Sequence, residues 1–274
     1  MTAAEDRSTG IRVGGMALEN GLLLHSAGHW AAAVRESDGS VSVASGEKSR
    51  SPSAEGGRIP LLRGLVRLAD ALAVIPAVKA RMGSAVLPLE SKRVLAAMAG
   101  SMAASAALRR SKMPLLGREL GALVVGLAPT LIALKGSDLA SYHGAEHKSI
   151  GEYEQALVGG RAGDATKEHD RCGSNLVGPL AGFGLLSSLV LRKLSDKPSA
   201  PAVLATGLLS AGAAMEVFRW MSRHPDSPLS QALSWPGHAL QQAVTTEEPS
   251  EAQMEVARAA LGELLRLEGL PDPR

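Results

Sequence analysis

The sequence predicts a mainly α-helical protein. It has two antiparallel apolar helical hairpins embedded in a membrane, a small N-terminal β unit, and amphipathic helices on one face. Three observations carry this prediction. Apolar residues fill 45% of the 274 positions, with 30 glycines and a mean hydropathy of +0.07; that is too hydrophobic for a disordered chain. Four stretches, at 94–108, 120–134, 172–191 and 198–215, carry no charge. Between residues 11 and 50, short apolar runs alternate with turn residues, the pattern of paired strands.

The elements follow in order. Met1 to Arg7 is polar and acidic, without a basic stretch leading into an apolar core, so no secretory signal is expected there and insertion would use internal segments. In the first unit, 1–57, the runs 22–25 and 30–35 flank Ala27-Gly28, and Ser37-Asp38-Gly39 turns into Val41-Ser42-Val43. Residues 46–57 read as a Ser/Gly/Pro linker. In the second unit, 58–93, Pro60 suits a first helical position. Beyond it Leu62, Leu65, Val66, Ala69, Leu72 and Ala73 form one stripe opposite Arg63, Arg67 and Asp70, and the helix ends or kinks near Pro76. Such a helix can lie on a membrane surface or pack on a core.

The hairpins occupy 94–134 and 172–215. A span of about 30 Å of hydrocarbon takes roughly 20 helical residues, so the second pair qualifies and the first pair needs tilted or partial insertion. Paired crossings put 1–93, 135–171 and 216–274 on one side. The two opposite loops hold Arg109, Arg110, Lys112, Arg118, Arg192, Lys193 and Lys197, which the positive-inside rule assigns to the cytoplasm. Translocating some 90 polar residues without a signal argues the reverse, and the functional face is expected on the cytoplasmic side of the membrane. A soluble Ala-rich bundle is the competing reading, because Trp220 alone sits where an aromatic belt belongs. In the tail, 216–274, Pro249-Ser250 and Gln253 open an amphipathic helix with Met254, Ala257, Leu261, Leu264 and Leu265 on its apolar stripe, ended by Gly269 and Pro271.

Composition also excludes functions. A net charge of +2, from 29 basic and 27 acidic residues, leaves no nucleic-acid footprint, and seven aromatics leave no stacking platform. One cysteine closes no intrachain disulfide. No Gly-rich phosphate loop appears, which speaks against ATP-driven chemistry. The partner expected is the lipid bilayer, with a homo-oligomer or another membrane protein left open.

The residues that point to chemistry lie in the central segment, 135–171. Ser137 can cap a helix running to about Leu157. On it His143, Glu146 and His147 are related by i, i+3 and i+4 and share a face. Two imidazoles one turn apart can both reach a tetrahedral zinc, and a carboxylate between them can act as general base. The string H-x-x-E-H is the reversed zincin order; solvated polar residues on an amphipathic helix are the plain alternative. His169 and Cys172 form a second i, i+3 cluster on the same side, with Cys172 at a helix N-terminus that favours its thiolate. Glu216 is a further candidate ligand, or a partner for Arg219 or Arg223. If His143, His147, His169 and Cys172 all bind, the site is closed and structural; if three bind, Glu146 can work at the fourth position. Zinc is the expected cofactor, and another divalent metal also fits.

These residues resemble the YqhQ-like family of bacterial membrane proteins, a domain-of-unknown-function family (number 1385) labelled as predicted metal-dependent. The resemblance rests on Val13-Gly14-Gly15, Pro60-Leu61-Leu62-Arg63-Gly64 and Tyr142-His143-Gly144-Ala145-Glu146-His147-Lys148 with Tyr153-Glu154. It continues through His169-Asp170-Arg171-Cys172-Gly173, Glu216-Val217-Phe218-Arg219 and the run from Gln242 to Pro249, with Glu255-Val256-Ala257. It covers roughly 12–265 and implies a membrane topology and a metal, not a reaction. The chain departs from the family where Met16 and Asn20 replace a Gln and a Glu of the opening stretch, and where Ser174-Asn175-Leu176 replaces Thr-Ser-Phe. The reading is a metal-dependent multi-pass membrane protein, a hydrolase of unread substrate with Glu146 as base. The alternative is a non-catalytic scaffold or assembly factor with a structural metal or a hydrogen-bonded His/Cys site, and a transporter is a weaker third.

Overall fold

A computed structural model describes residues 10–48, 59–195 and 197–271. Most of the expected linker, 49–57, lies outside the described residues.

The N-terminal unit is a four-stranded antiparallel meander, β1 (Gly14–Leu18), β2 (Gly21–His25), β3 (His29–Arg35) and β4 (Val41–Glu47). Its register pairs Gly14 with His25, Leu22 with Ala33 and Arg35 with Val41. The Asp38-Gly39 turn works as its residues dictate: Gly39 takes φ +86° and Asp38 Oδ1 accepts the Ser40 N–H at 2.9 Å. Strand β1 was not expected, because Gly14-Gly15 dilutes the alternation on which a strand is read. Both faces of the sheet are covered. Leu22, Leu24, Ala31 and Ala33 join one core, and Leu18, Leu23, Trp30, Ala32 and Val34 the other. Two covered faces are why 22–24 and 30–34 read as continuous apolar runs.

Two short helices, α1 (Leu62–Leu72) and α2 (Ile75–Arg81), replace the single predicted one and divide near Pro76 as expected. Val74, Val78 and Met82 close the second sheet core. Five long helices follow: α3 (Lys92–Arg110), α4 (Leu115–Leu134), α5 (Asp138–Leu157), α6 (Val177–Leu194) and α7 (Ala200–Met221). Then come α8 (Pro228–Leu240), a π-turn (Gln241–Thr245) and α9 (Glu251–Leu267). Helix α9 opens with the expected capping box, Ser250 to Gln253 and back, and Gly269 takes φ +68° after it. Helix α8 was not expected; Pro236 inside it breaks the sequence signal.

Three segments, Leu115–Leu134, Gly173–Leu194 and Ala200–Met221, are long and apolar enough to cross a membrane, and only 11 to 17% of each is buried within the protein. Helix α3 is not among them; its 19 residues are Ala-rich and end in charges on both sides. In α4, Pro129 has no N–H to offer the Val125 carbonyl, and Ser101 of α3 donates to that oxygen instead at 2.8 Å. Near the other end of α4 the buried Glu119 accepts from Ser188 of α6 at 2.7 Å and pairs with Arg192 at 2.7 Å, off the hydrogen-bond line.

The first sheet core is completed by α5 and α9. Tyr142, Ala145, Ile150 and Tyr153 of α5 and Met254, Val256, Ala260, Leu261, Leu264 and Leu265 of α9 pack with Leu22 and Leu24. Sheet, α5 and α9 therefore form one body from which the apolar helices extend.

Candidate metal centre

Helix α5 sets the geometry. Ser137 precedes it in extended backbone, its hydroxyl donating back to the carbonyls of Ala133 and Leu134, and Asp138 supplies the favoured negative charge in the first turn. Halfway along, Gly144 lets another strand of chain cross the helix. A Cβ there would collide with the Glu247 carbonyl oxygen, and the close approach is held by Glu247 N–H donating to the Ala140 carbonyl at 3.0 Å.

That crossing orients the first histidine. His143 Nδ1 lies 2.7 Å from the Thr245 carbonyl, and His147 Nδ1 lies 2.6 Å from the Lys167 carbonyl. A carbonyl only accepts, so both rings carry the proton on Nδ1 and present a bare Nε2. The Cys172 sulfur sits 3.4 Å from His143 Nε2. Donor atoms of His143, His147 and Cys172 all lie within 4.8 Å of one another. Burial pushes the His147 imidazole below its usual range, with the Cys172 hydrogen bond opposing, so the ligand-competent neutral form is favoured. Two imidazoles fixed through their far nitrogens by carbonyls, plus one sulfur, make a donor set that fits zinc or another borderline divalent metal.

Glu146 is buried between them and lines the same cleft. No hydrogen bond to its carboxylate is found among the described residues. Burial pushes the carboxyl above its usual range, and the nearby His143 and His169 pull it back. Gly15 of β1 makes room for it, since a Cβ there would lie 2.6 Å from Glu146 Oε1.

The other predicted ligands are placed differently. His169 stands beside the group, its ring centroid 5.7 Å from that of His147, but both its nitrogens are engaged. Nδ1 accepts the Arg171 N–H at 3.1 Å and Nε2 lies 3.3 Å from Glu154, which also pairs with Arg171. Burial lowers its pKa, with Asp170 and Glu146 opposing. Glu216 is outside the group. Its carboxylate accepts from Arg63 Nε at 2.7 Å and from the Leu61 N–H at 3.2 Å, so its partner is Arg63 rather than the expected Arg219 or Arg223.

Sequence reasoning missed the residues that hold the second cluster. The fully buried Gln241 accepts the His169 N–H at 2.8 Å, and Asn175 donates to the Asp170 carbonyl at 2.8 Å. Lys167 joins the two crossings, donating to Thr246 O at 3.0 Å while its own carbonyl holds His147. Polar residues amid apolar helices were the available signal. A cleft of about 760 Å³ adjoins the group, walled by β1, α3, α4 and α5.

A buried two-histidine, one-cysteine cluster with an adjacent carboxylate, at the foot of apolar helices, defines a candidate metal centre. Residues 137–267, which contain all of it, match the family model described as Protein of unknown function (DUF1385). The chain is 35% identical over 140 residues to Uncharacterized protein YqhQ of Bacillus subtilis (strain 168), an alignment covering 48% of this chain and 42% of that protein. It thus spans about two fifths of the length of the curated relative it matches. No solved structure matches.

Proposed function

We propose that the protein is a metal-dependent hydrolase of a bacterial membrane, with His143, His147 and Cys172 as ligands and Glu146 as general base. One observation carries this reading: among the described residues three donors converge, not four. His169 has spent both nitrogens on Arg171 and Glu154, and Glu216 has spent its carboxylate on Arg63. Three protein ligands with a place left open is the pattern of catalytic rather than structural zinc sites. A bound zinc supplies Lewis acidity toward an oxygen of the substrate. The chain's own residues do the rest. Thr245 and Lys167 carbonyls hold the imidazoles in the ligating tautomer. The Glu146 carboxylate, without a bond to compete, takes a proton from the attacking water and returns it to the leaving group.

The membrane reading is supported by packing. Strands β1–β4 precede the apolar helices and α5 follows α4, yet sheet and α5 share a core. The excursion through α3 and α4 therefore returns to the side it left, spanning or re-entrant, and we read that side as cytoplasmic.

Elemental analysis of the detergent-purified protein tests the site. About one transition metal per chain is expected, kept in Glu146→Gln and lost in His143→Ala/His147→Ala. A metal-free protein, or metal kept in the double variant, overturns the reading. Lys112→Cys and Glu251→Cys, labelled in cells with a membrane-impermeant maleimide, test the topology. Only Lys112→Cys should react from outside.

A further inference from the structure

The cleft beside the metal centre has two chemically different ends. One holds His143, His147, Glu146 and Cys172. The other runs between α3 and α4, where Val94, Met98, Gly126, Pro129 and Ala133 line it. From Ala133 to Gly126 is seven residues of helix, roughly 10 Å of apolar arm at about 1.5 Å per residue. Gly126 has nothing within 4 Å of where a Cβ would sit. Gly126 and Thr130 are exposed, so the arm opens beside α4, a helix that also exposes Leu116, Leu120 and Val124 on its other sides. This helix is long and apolar enough to span a bilayer. An aqueous substrate has no use for such an arm, whereas a chain sliding from hydrocarbon finds a continuous apolar path to the polar cluster.

We propose that the substrate is a lipid-type amphiphile, its alkyl or acyl chain lying between α3 and α4 and its hydrolysable head at His143, His147 and Cys172. The head-group half rests on the metal reading; the chain half does not.

The test uses full-length protein in nanodiscs, loaded with Co²⁺ and read by its visible absorption. The probes are acetohydroxamate and its homologues up to octanohydroxamate, whose head binds the metal while the tail reports the arm. In the unaltered protein affinity should climb with each methylene, by up to about fourfold, the equivalent of about 0.8 kcal/mol. Gly126→Trp, which fills the arm, should keep acetohydroxamate binding and lose the climb. Gly100→Trp, on the same helix pair but away from the cleft, should behave as the unaltered protein. A flat series, or an equal climb in Gly126→Trp, overturns the proposal. If no cobalt binds, the metal reading falls separately, and a palmitate analogue with a terminal diazirine decides the chain half. Crosslinks at Met98 of α3, which lines the arm, that are lost in Gly126→Trp uphold it, and their absence, or their persistence in that variant, overturns it.

Discussion

Replacing Gly144 by alanine isolates the crossing that builds the site. Alanine in an open helical position stabilises by up to about 1 kcal/mol over glycine. At Gly144 the added methyl meets the Glu247 carbonyl, which is backbone and cannot rotate away. Relief requires lifting residues 245–247 off α5, which gives up the Glu247–Ala140 and His143–Thr245 hydrogen bonds, together about 2 kcal/mol at roughly 1 each. Left unrelieved, the overpacking costs about 1–3 kcal/mol. Either way the helix-propensity gain is outweighed, and the net loss is about 1–2 kcal/mol. At about 2–4 °C per kcal/mol, the unfolding midpoint should fall by roughly 2–8 °C. Gly100→Ala, with open space around it, should hold or raise the midpoint. Because His143 loses the carbonyl that fixes its tautomer, metal affinity in Gly144→Ala should drop about 10- to 100-fold in a chelator competition. The reasoning is refuted if Gly144→Ala is as stable as Gly100→Ala and holds metal as tightly as the parent protein.

Further predictions concern the charged contacts. Glu216→Gln should leave metal content unchanged while lowering stability only slightly through Arg63; metal loss would return Glu216 to the ligand set. Arg192→Ala strands the buried Glu119 and should cost about 3 kcal/mol, with Glu119→Leu/Arg192→Leu recovering most of it in thermal melts. Glu263 is held at a pKa of about 2 by hydrogen bonds from Arg266, with Ser45 adding to them. A depressed carboxyl stabilises the fold above its ordinary value and gives that up as pH falls from about 4.5 toward 2. Acid melts of Glu263→Gln should therefore lack a contribution of at most about 1 kcal/mol, most of the pair being solvated. A parent and variant that lose stability in parallel over that window would count against this.

The helical elements were legible where a local rule acts alone. The α9 capping box, the break at Pro76 and the H-x-x-E-H face of α5 each depend on residues within one or two turns. What stayed hidden depends on partners far along the chain. Strand β1 exists because β2 and α5 cover it, and its glycines are needed by Glu146 rather than by the sheet. His169 looked like a ligand by spacing, and only the fold reveals that Arg171 and Glu154 use its nitrogens. Helix α3 read like its neighbour α4 as an uncharged run, yet its alanines leave it short of a span by composition.

The Thr245 carbonyl that holds His143 lies 102 residues after it in the chain. A ribosome releases the apolar helices and the His/Glu helix well before it releases the π-turn and α9. Throughout that interval His143 lacks its tautomer lock and the sheet lacks the helix that completes its core. The ligand group therefore acquires its final shape only after residues 245–267 have been made, and any reactivity it has is withheld until then.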